Sequence, residues 1–379
     1  MPRSKYEKNS QTFNEPESRK GRRIAFALAI FFCIIFAAGI AVITKISGIN
    51  DSSVLSNSNI DFDTKINEDS QETENIVITL FGDKNTLVIK GESYLESGCH
   101  AIDASNKENI DNIKASGYVD TSKPGTYEIT YTATNKSGQF AKATRSVKVV
   151  DSFEKGNAKT IPVCMYHYVY DSSNQPSQLD NNWIEGSKFK QEMEWLKANN
   201  FYYPSYEELI AFVEGSKTLP NNSVILTFDD GMPQFLDTGV SILEELEIPA
   251  TSFIICDDSD AKEKVLSHPG KFVQYQSHSY AMHHAGSGIG HGGIIHKSSY
   301  ETIVADQERA KEMLGNEIAY AYPFGDYNDT AKSALSAAGV KCAFTTENRQ
   351  VRKGDDLLAL PRVRINGSYT LEQFISVVS

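Results

Sequence analysis

Val224-Ile-Leu-Thr-Phe-Asp-Asp-Gly231 decides how the second half of this 379-residue chain is read. Its first five residues are largely apolar and do not alternate, the pattern of an interior strand covered on both faces. Asp-Asp-Gly then ends the strand in a turn. Working outward, strands are expected over 161–166, 251–255, 318–322 and 342–345, and helices over 235–246, 300–314 and 330–338. Phe189, Met193 and Leu196 recur at helical spacing, and Ser205-Tyr-Glu-Glu208 is a capping box ahead of Leu209, Ile210 and Val213. Strands alternating with helices imply a parallel sheet, open or closed into a barrel, with its chemistry at the carboxyl ends of the strands.

Asp229 and Asp230 stand at such an end. Neighbouring residues on an extended chain point apart, so one carboxylate can bind a metal while the other takes a proton. An isolated Asp-Asp-Gly is usually only a turn. Downstream, Ser277-His-Ser-Tyr-Ala-Met-His283 offers two imidazoles, His278 and His283, five residues apart. One Asp and two His make a three-ligand set with an open position, the pattern of a catalytic zinc centre. Cobalt and nickel suit the same donors.

The first half is organised differently. Arg3, Lys5, Lys8, Arg19, Lys20, Arg22 and Arg23 outweigh Glu7, Glu15 and Glu17, giving a tail of +4 over residues 1–23 in a chain of net −12. Residues 24–43 then carry no charge. Twenty helical residues at about 1.5 Å each match a bilayer core. The positive-inside rule puts the basic tail in the cytoplasm and the rest of the chain outside. A cleaved signal peptide has a shorter apolar run and a small-residue cleavage site, and Ala37-Ala-Gly39 lies too deep for that. The expected organisation is a tail over 1–23, an anchor over 24–44 and an acidic, Ser/Asn-rich linker over 45–75. A β-sandwich follows over 76–151, where Thr126 to Thr134 alternates strictly with Tyr127, Ile129, Tyr131 and Ala133 on one face. The chemistry-bearing α/β domain occupies 158–379. With 49 acidic against 37 basic residues, nucleic acid is not an expected partner. Five scattered cysteines form neither a disulfide framework nor a CxxC site.

Thr227-Phe-Asp-Asp-Gly231, His278-Ser through His283, and Ala321-Tyr-Pro-Phe-Gly325 resemble three motifs of the polysaccharide deacetylases of carbohydrate esterase family four. The resemblance covers roughly residues 160–379. The stretch Val119 to Tyr131 resembles bacterial immunoglobulin-like surface domains. The first likeness implies a distorted (β/α) barrel, with Asp229 as base and Asp230, His278 and His283 as metal ligands. The histidine spacing is one residue longer than the commonest form and looks like the branch acting on poly-N-acetylglucosamine. In that branch the fold is circularly permuted, and a Tyr-His at the domain start supplies the general acid. Here that is Tyr166-His167, which makes His167 the implied acid. Tyr166, Tyr322, Pro323, Phe324 and Gly325 are the implied substrate-binding residues.

Two departures stand out. Ala321 occupies the place of an arginine that normally orients the catalytic Asp, and Arg362 or Arg364 is a candidate replacement, although an exposed edge-strand role fits either equally. The Asp/Trp-containing fourth motif is not recognisable. The Gly/His-rich stretch 284–296 reads as a mobile loop, with a lid or a second metal site as alternatives. Trp195 is expected in the core, and Trp183 in a loop where it can stack on a sugar. The implied function is a membrane-anchored glycan N-deacetylase acting on poly-β-1,6-N-acetylglucosamine or on peptidoglycan. The competing class is a non-catalytic surface protein that binds glycan.

Overall fold

The computed structural model describes residues 71–316 and 318–379. The expected tail, membrane anchor and nearly all of the linker lie outside the described residues. Among the described residues no helix is long and apolar enough to cross a membrane.

Seven strands form the first domain: β1 (Ile76–Leu80), β2 (Asn85–Ile89), β3 (Cys99–Asp103), β4 (Glu108–Asn109), β5 (Ile113–Gly117), β6 (Gly125–Thr134) and β7 (Phe140–Val150). They make two sheets, β1-β3-β4 and β2-β7-β6-β5. The alternation read in β6 is realised, with Ile129, Tyr131 and Ala133 buried between the sheets with Val88 and Val147. Arg145 of β7 is only 1% exposed. It donates to the carbonyls of Asp83, Phe81 and Gly98 at 2.8, 2.9 and 3.1 Å, tying together loops from both sheets.

In the second domain β8 (Thr160–Ile161) is followed by β9 (Val163–Tyr166) and a small parallel pair, β10 (Tyr168–Tyr170) and β11 (Trp183–Glu185). The expected single strand over 161–166 is thus broken at Pro162, which has no N–H to give a ladder. Then come β12 (Ile225–Phe228), β13 (Ala250–Ile254), β14 (Val273–Ser277), β15 (Ala319–Ala321), β16 (Cys342–Asn348), β17 (Val351–Arg352) and β18 (Leu360–Arg364). β17 pairs with β8. The other seven close as β12-β13-β14-β15-β16-β18-β9, every neighbouring pair parallel. Helices Gly186–Ala198, Tyr206–Glu214, Val240–Leu246, Tyr300–Leu314 and Asp329–Ala337 cover segments read as helical or as capped from the sequence. Within the expected 235–246 helix the first turn, Phe235–Gly239, is a π-turn. Because all barrel strands run the same way, Tyr166, Phe228, Ile254, Ser277 and Ala321 end at one rim.

The two domains meet along a polar seam. The Asp83 N–H donates to the Tyr203 carbonyl at 2.8 Å, Glu92 accepts from the Thr218 N–H and hydroxyl, and Ser97 bonds Ser205 at 2.7 Å. Ser205 also caps helix Tyr206–Glu214 through the capping box read in the sequence.

Replacing Arg145 by alanine removes a donor from all three carbonyls, but Gly98 still accepts from the Phe81 N–H and Asp83 from the Thr86 hydroxyl, so the Phe81 carbonyl is the one stranded, at about 1–3 kcal/mol. Urea unfolding of the Arg145→Ala chain should lose about 1–3 kcal/mol from the transition that reports on the β-sandwich. An unchanged midpoint would contradict this role.

Candidate active site

β12 buries Ile225, Leu226 and Phe228, with the Phe228 ring stacked between Tyr166 at 5.0 Å and Phe235 at 4.0 Å. That packing fixes where the next two residues emerge. Asp229 continues into the barrel interior and is 3% exposed. Asp230 takes a left-handed backbone, φ 76°, and Gly231 another, φ 66°. The left-handed backbone at Gly231 favours glycine, and a Cβ there would also meet the tip of the Ile254 side chain at 2.4 Å. The turn therefore sends the two carboxylates different ways.

Asp229 is met by Arg362 of β18, which is fully buried. Nη1 and Nη2 each donate to one carboxylate oxygen at 2.7 Å. Nε donates to the Thr345 carbonyl at 3.1 Å, and Nη1 also reaches the Thr227 hydroxyl at 3.2 Å. Burial alone would raise the Asp229 pKa; the Arg362 charge, helped by His278, outweighs it and holds the carboxyl below its ordinary range. Arg364, in contrast, points outward and bonds the Asn182 side chain. The orienting arginine is Arg362, and the exposed-edge reading does not hold for it.

Asp230 faces His278 and His283. Its Oδ1 lies 3.5 Å from Nε2 of His278 and 3.4 Å from Nε2 of His283. Its Oδ2 accepts from the Tyr168 hydroxyl at 2.5 Å. His278 Nδ1 lies 2.7 Å from the Ala321 carbonyl, which sets that nitrogen as the donor and leaves Nε2 its lone pair. One ligand atom from each of Asp230, His278 and His283 lies within 4.8 Å of the others. Two ligands at about 2.1 Å on a tetrahedral ion are about 3.4 Å apart, which the two Asp–His separations match. The field agrees: burial depresses the His278 pKa, but Asp229 and Asp230 override it and raise it. A site that favours a proton on that nitrogen also favours a cation beside it.

The loop between the histidines is stitched down from elsewhere. Asp306, on helix Tyr300–Leu314, accepts from the Tyr280 and Ala281 N–H groups at 2.8 and 2.7 Å. The Ser279 and Tyr280 carbonyls accept from Cys256 and Asp257 after β13. His283 stacks on Phe324 with ring centres 4.8 Å apart.

Three comparisons bear on this arrangement. Residues 216–343 match the polysaccharide deacetylase family model, and residues 78–149 match the model for the Ig-like domain of bacterial surface proteins. The chain carries a polysaccharide deacetylase domain. Relatives include the poly-beta-1,6-N-acetyl-D-glucosamine N-deacetylase of Staphylococcus aureus strain MRSA252, 25% identical over 215 residues, 52% of this chain and 72% of that one. The Staphylococcus epidermidis enzyme of the same name is 25% identical over 205 residues, covering 50% and 70%. Among solved structures, a Streptococcus pyogenes deacetylase in complex with acetate aligns at TM-score 0.50 and 23% identity, covering 58% of this chain and 98% of that one. A polysaccharide deacetylase from Bacillus cereus aligns at 25% identity and TM-score 0.48, covering 68% and 79%. The domain is a hydrolase of carbon–nitrogen bonds.

Within this deacetylase domain the implied substrate residues divide. Tyr166 is 2% exposed, with its hydroxyl on Glu192 at 2.8 Å. Tyr322 is fully buried and donates to the Leu358 carbonyl at 3.0 Å. Pro323 and Gly325 are buried as well. These four shape the site from behind and are not a sugar-binding surface; Phe324, half-buried against His283, borders the opening. His167 follows β9 at the rim, with its ring edge-on to Tyr168 and no hydrogen bond to another described residue. Burial lowers its pKa, and Asp229 and Asp230 only partly oppose this. Trp183 lies on β11 rather than in a loop, its ring 4.5 Å from Tyr168 and 6.3 Å from Tyr170, so it joins an aromatic wall next to Asp230. Trp195 packs on Phe201 and Phe374, as expected of a core residue. Tyr168 and Asp306 were not signalled by any local pattern.

Arg362→Met should cost about 3–5 kcal/mol of stability, because it strands a buried carboxylate. Arg362→Lys keeps a charge but loses the fork, and should fold while turnover falls on the order of 100-fold from misplacement of Asp229. Thermal unfolding and acetate-release kinetics check the pair.

Proposed function

We propose that this chain is a membrane-anchored, extracytoplasmic, metal-dependent N-deacetylase of poly-β-1,6-N-acetylglucosamine. The observation that carries the reading is the Asp230–His278–His283 cluster standing beside a carboxylate, Asp229, that Arg362 keeps ionised and aimed. The names of the staphylococcal relatives support the glycan. The uncharged run 24–43 behind a basic tail supports the anchor and an extracytoplasmic domain. An acid at the domain start and a clamping arginine near its end fit the circularly permuted order.

One aspartate and two neutral imidazoles suit zinc, with cobalt and nickel also accepted. When bound, the ion polarises the acetamide carbonyl and acidifies a water. Asp229 takes the proton of the attacking water; its oxygens still have lone pairs beyond the two Arg362 bonds. His167 returns a proton to the departing nitrogen, and acetate leaves a free glucosamine unit. A depressed pKa makes the His167 imidazolium a stronger acid, but a scarcer one at neutral pH.

Asp229→Asn should abolish acetate release while the ion stays bound; full activity would sink the base assignment. His167→Ala should lose roughly 10²–10⁴-fold in turnover, with metal content unchanged. The substrate is tested by acetate release with zinc, cobalt or nickel from poly-β-1,6-N-acetylglucosamine oligomers against peptidoglycan fragments. Faster release from peptidoglycan would shift the substrate, and no release from either would favour a glycan-binding protein.

A further inference from the structure

The Gly/His-rich stretch 284–296 is not slack. Its backbone closes on itself through Gly286 to Gly292 at 2.8 Å and Ile294 to His284 at 3.1 Å. It is also fastened to Asp326, just past the Tyr322–Gly325 turn. Oδ1 of Asp326 accepts from the His291 N–H at 2.8 Å, and Oδ2 from the Gly293 N–H at 2.7 Å. The carboxylate is 4% exposed. Two imidazoles converge on the same oxygen. Nδ1 of His291 lies 3.4 Å from Oδ1, and Nε2 of His296 lies 3.6 Å from it. Neither contact is a hydrogen bond, and both separations are those of ligands sharing an ion rather than of donor and acceptor. The catalytic Asp230 cluster shows the same spacing, 3.4 and 3.5 Å.

Local packing keeps the Asp326 corner fixed. Gly290 adopts φ +61°, and a Cβ there would lie 2.3 Å from Asp326 Oδ1 and 2.9 Å from His296 Nε2, so the chain passes directly over the carboxylate and imidazole. The His296 side chain is 14% exposed and that of His291 67% exposed. Among the described residues only Asp230, His278 and His283 have ligand atoms that all lie together, so closing the Asp326 set requires the exposed His291 ring to turn toward His296.

From this geometry we infer that Asp326, His291 and His296 form a second transition-metal site, solvent-facing and weaker than the first. Water completes the coordination on the open side. The ion fastens the 284–296 loop to the turn bearing Phe324, against which Gly293 packs and on which His283 stacks. The site excludes magnesium and calcium by its imidazoles, which favour zinc, cobalt, nickel or copper.

The test is equilibrium metal titration of the full chain with zinc, and with cobalt read by its absorption bands. Wild type should bind two ions per chain, the second at least about tenfold more weakly. The paired change His291→Ala with His296→Ala should bind one and keep its fold by circular dichroism. His278→Ala should lose the tighter ion and keep the weaker. Hydrogen exchange of 284–296 should slow on adding the second equivalent in wild type only. One ion in wild type at saturating zinc, or two in the paired variant, overturns the proposal. These readouts do not depend on whether the chain deacetylates any glycan.

Discussion

The structure turns on one buried ion pair, Arg362 with Asp229. Burying two charges is costly, and an isolated pair of this kind seldom stabilises a fold. Here four of the five guanidinium N–H groups have acceptors, in both Asp229 oxygens, the Thr345 carbonyl and the Thr227 hydroxyl. The partners come from β12 and β18, which are not neighbours; β9 lies between them, with Cys164 facing Leu226 on one side and Val363 on the other. The pair forms because the strands close, and it holds the closure at the rim where the chemistry sits. It also decides the direction of Asp229, and through the left-handed turn that follows, the direction of Asp230.

Strain gathers around the same rim. Asp230, Ser279 and Phe324 are non-glycine residues with φ of 76°, 77° and 61°. Each such backbone costs about 1–3 kcal/mol and survives only where its surroundings over-determine it. The surroundings are visible: the Gly231 contact with Ile254, the two N–H bonds into Asp306, and the His283 ring lying on Phe324. Three loops from three strands are thereby held in conformations that a free chain would leave.

Much of this was legible in the sequence, and the reason for each miss is physical. Apolar runs bounded by turn residues revealed β12, β13, β15 and β16, because each is a local pattern. Val273–Ser277 carries no strand pattern of its own, since Gln274 and Gln276 interrupt its apolarity and the buried Gln276 accepts from the Ala319 N–H. Asp-Asp and His-His were legible as chemistry. Arg362 was visible only as one of two candidates, because whether an arginine points into a barrel depends on closure, which no local window contains. Asp306 acts on a loop 25 residues away through backbone bonds, and an acidic residue on an amphipathic helix looks like surface. The resemblance implies a substrate role for Tyr166, but the two-residue period of a strand puts it on the face opposite His167, inside.

The seam between the domains extends the same logic outward. Ser205 Oγ accepts from the Glu208 N–H that it caps and from Ser97 of the β-sandwich. Gly82 packs so closely that a Cβ would lie 2.7 Å from the Ser205 nitrogen. Tyr202 bonds Glu208 and stands against the β2 backbone. The first turn of helix Tyr206–Glu214 is thus completed by atoms of the other domain. Tyr206, in that same turn, bonds Thr251 of β13 and packs on Phe344 of β16, inside the barrel. A stalk that only spaced the enzyme would need none of this. The β-sandwich is therefore part of what holds this helix, and through it the wall of the barrel, in place.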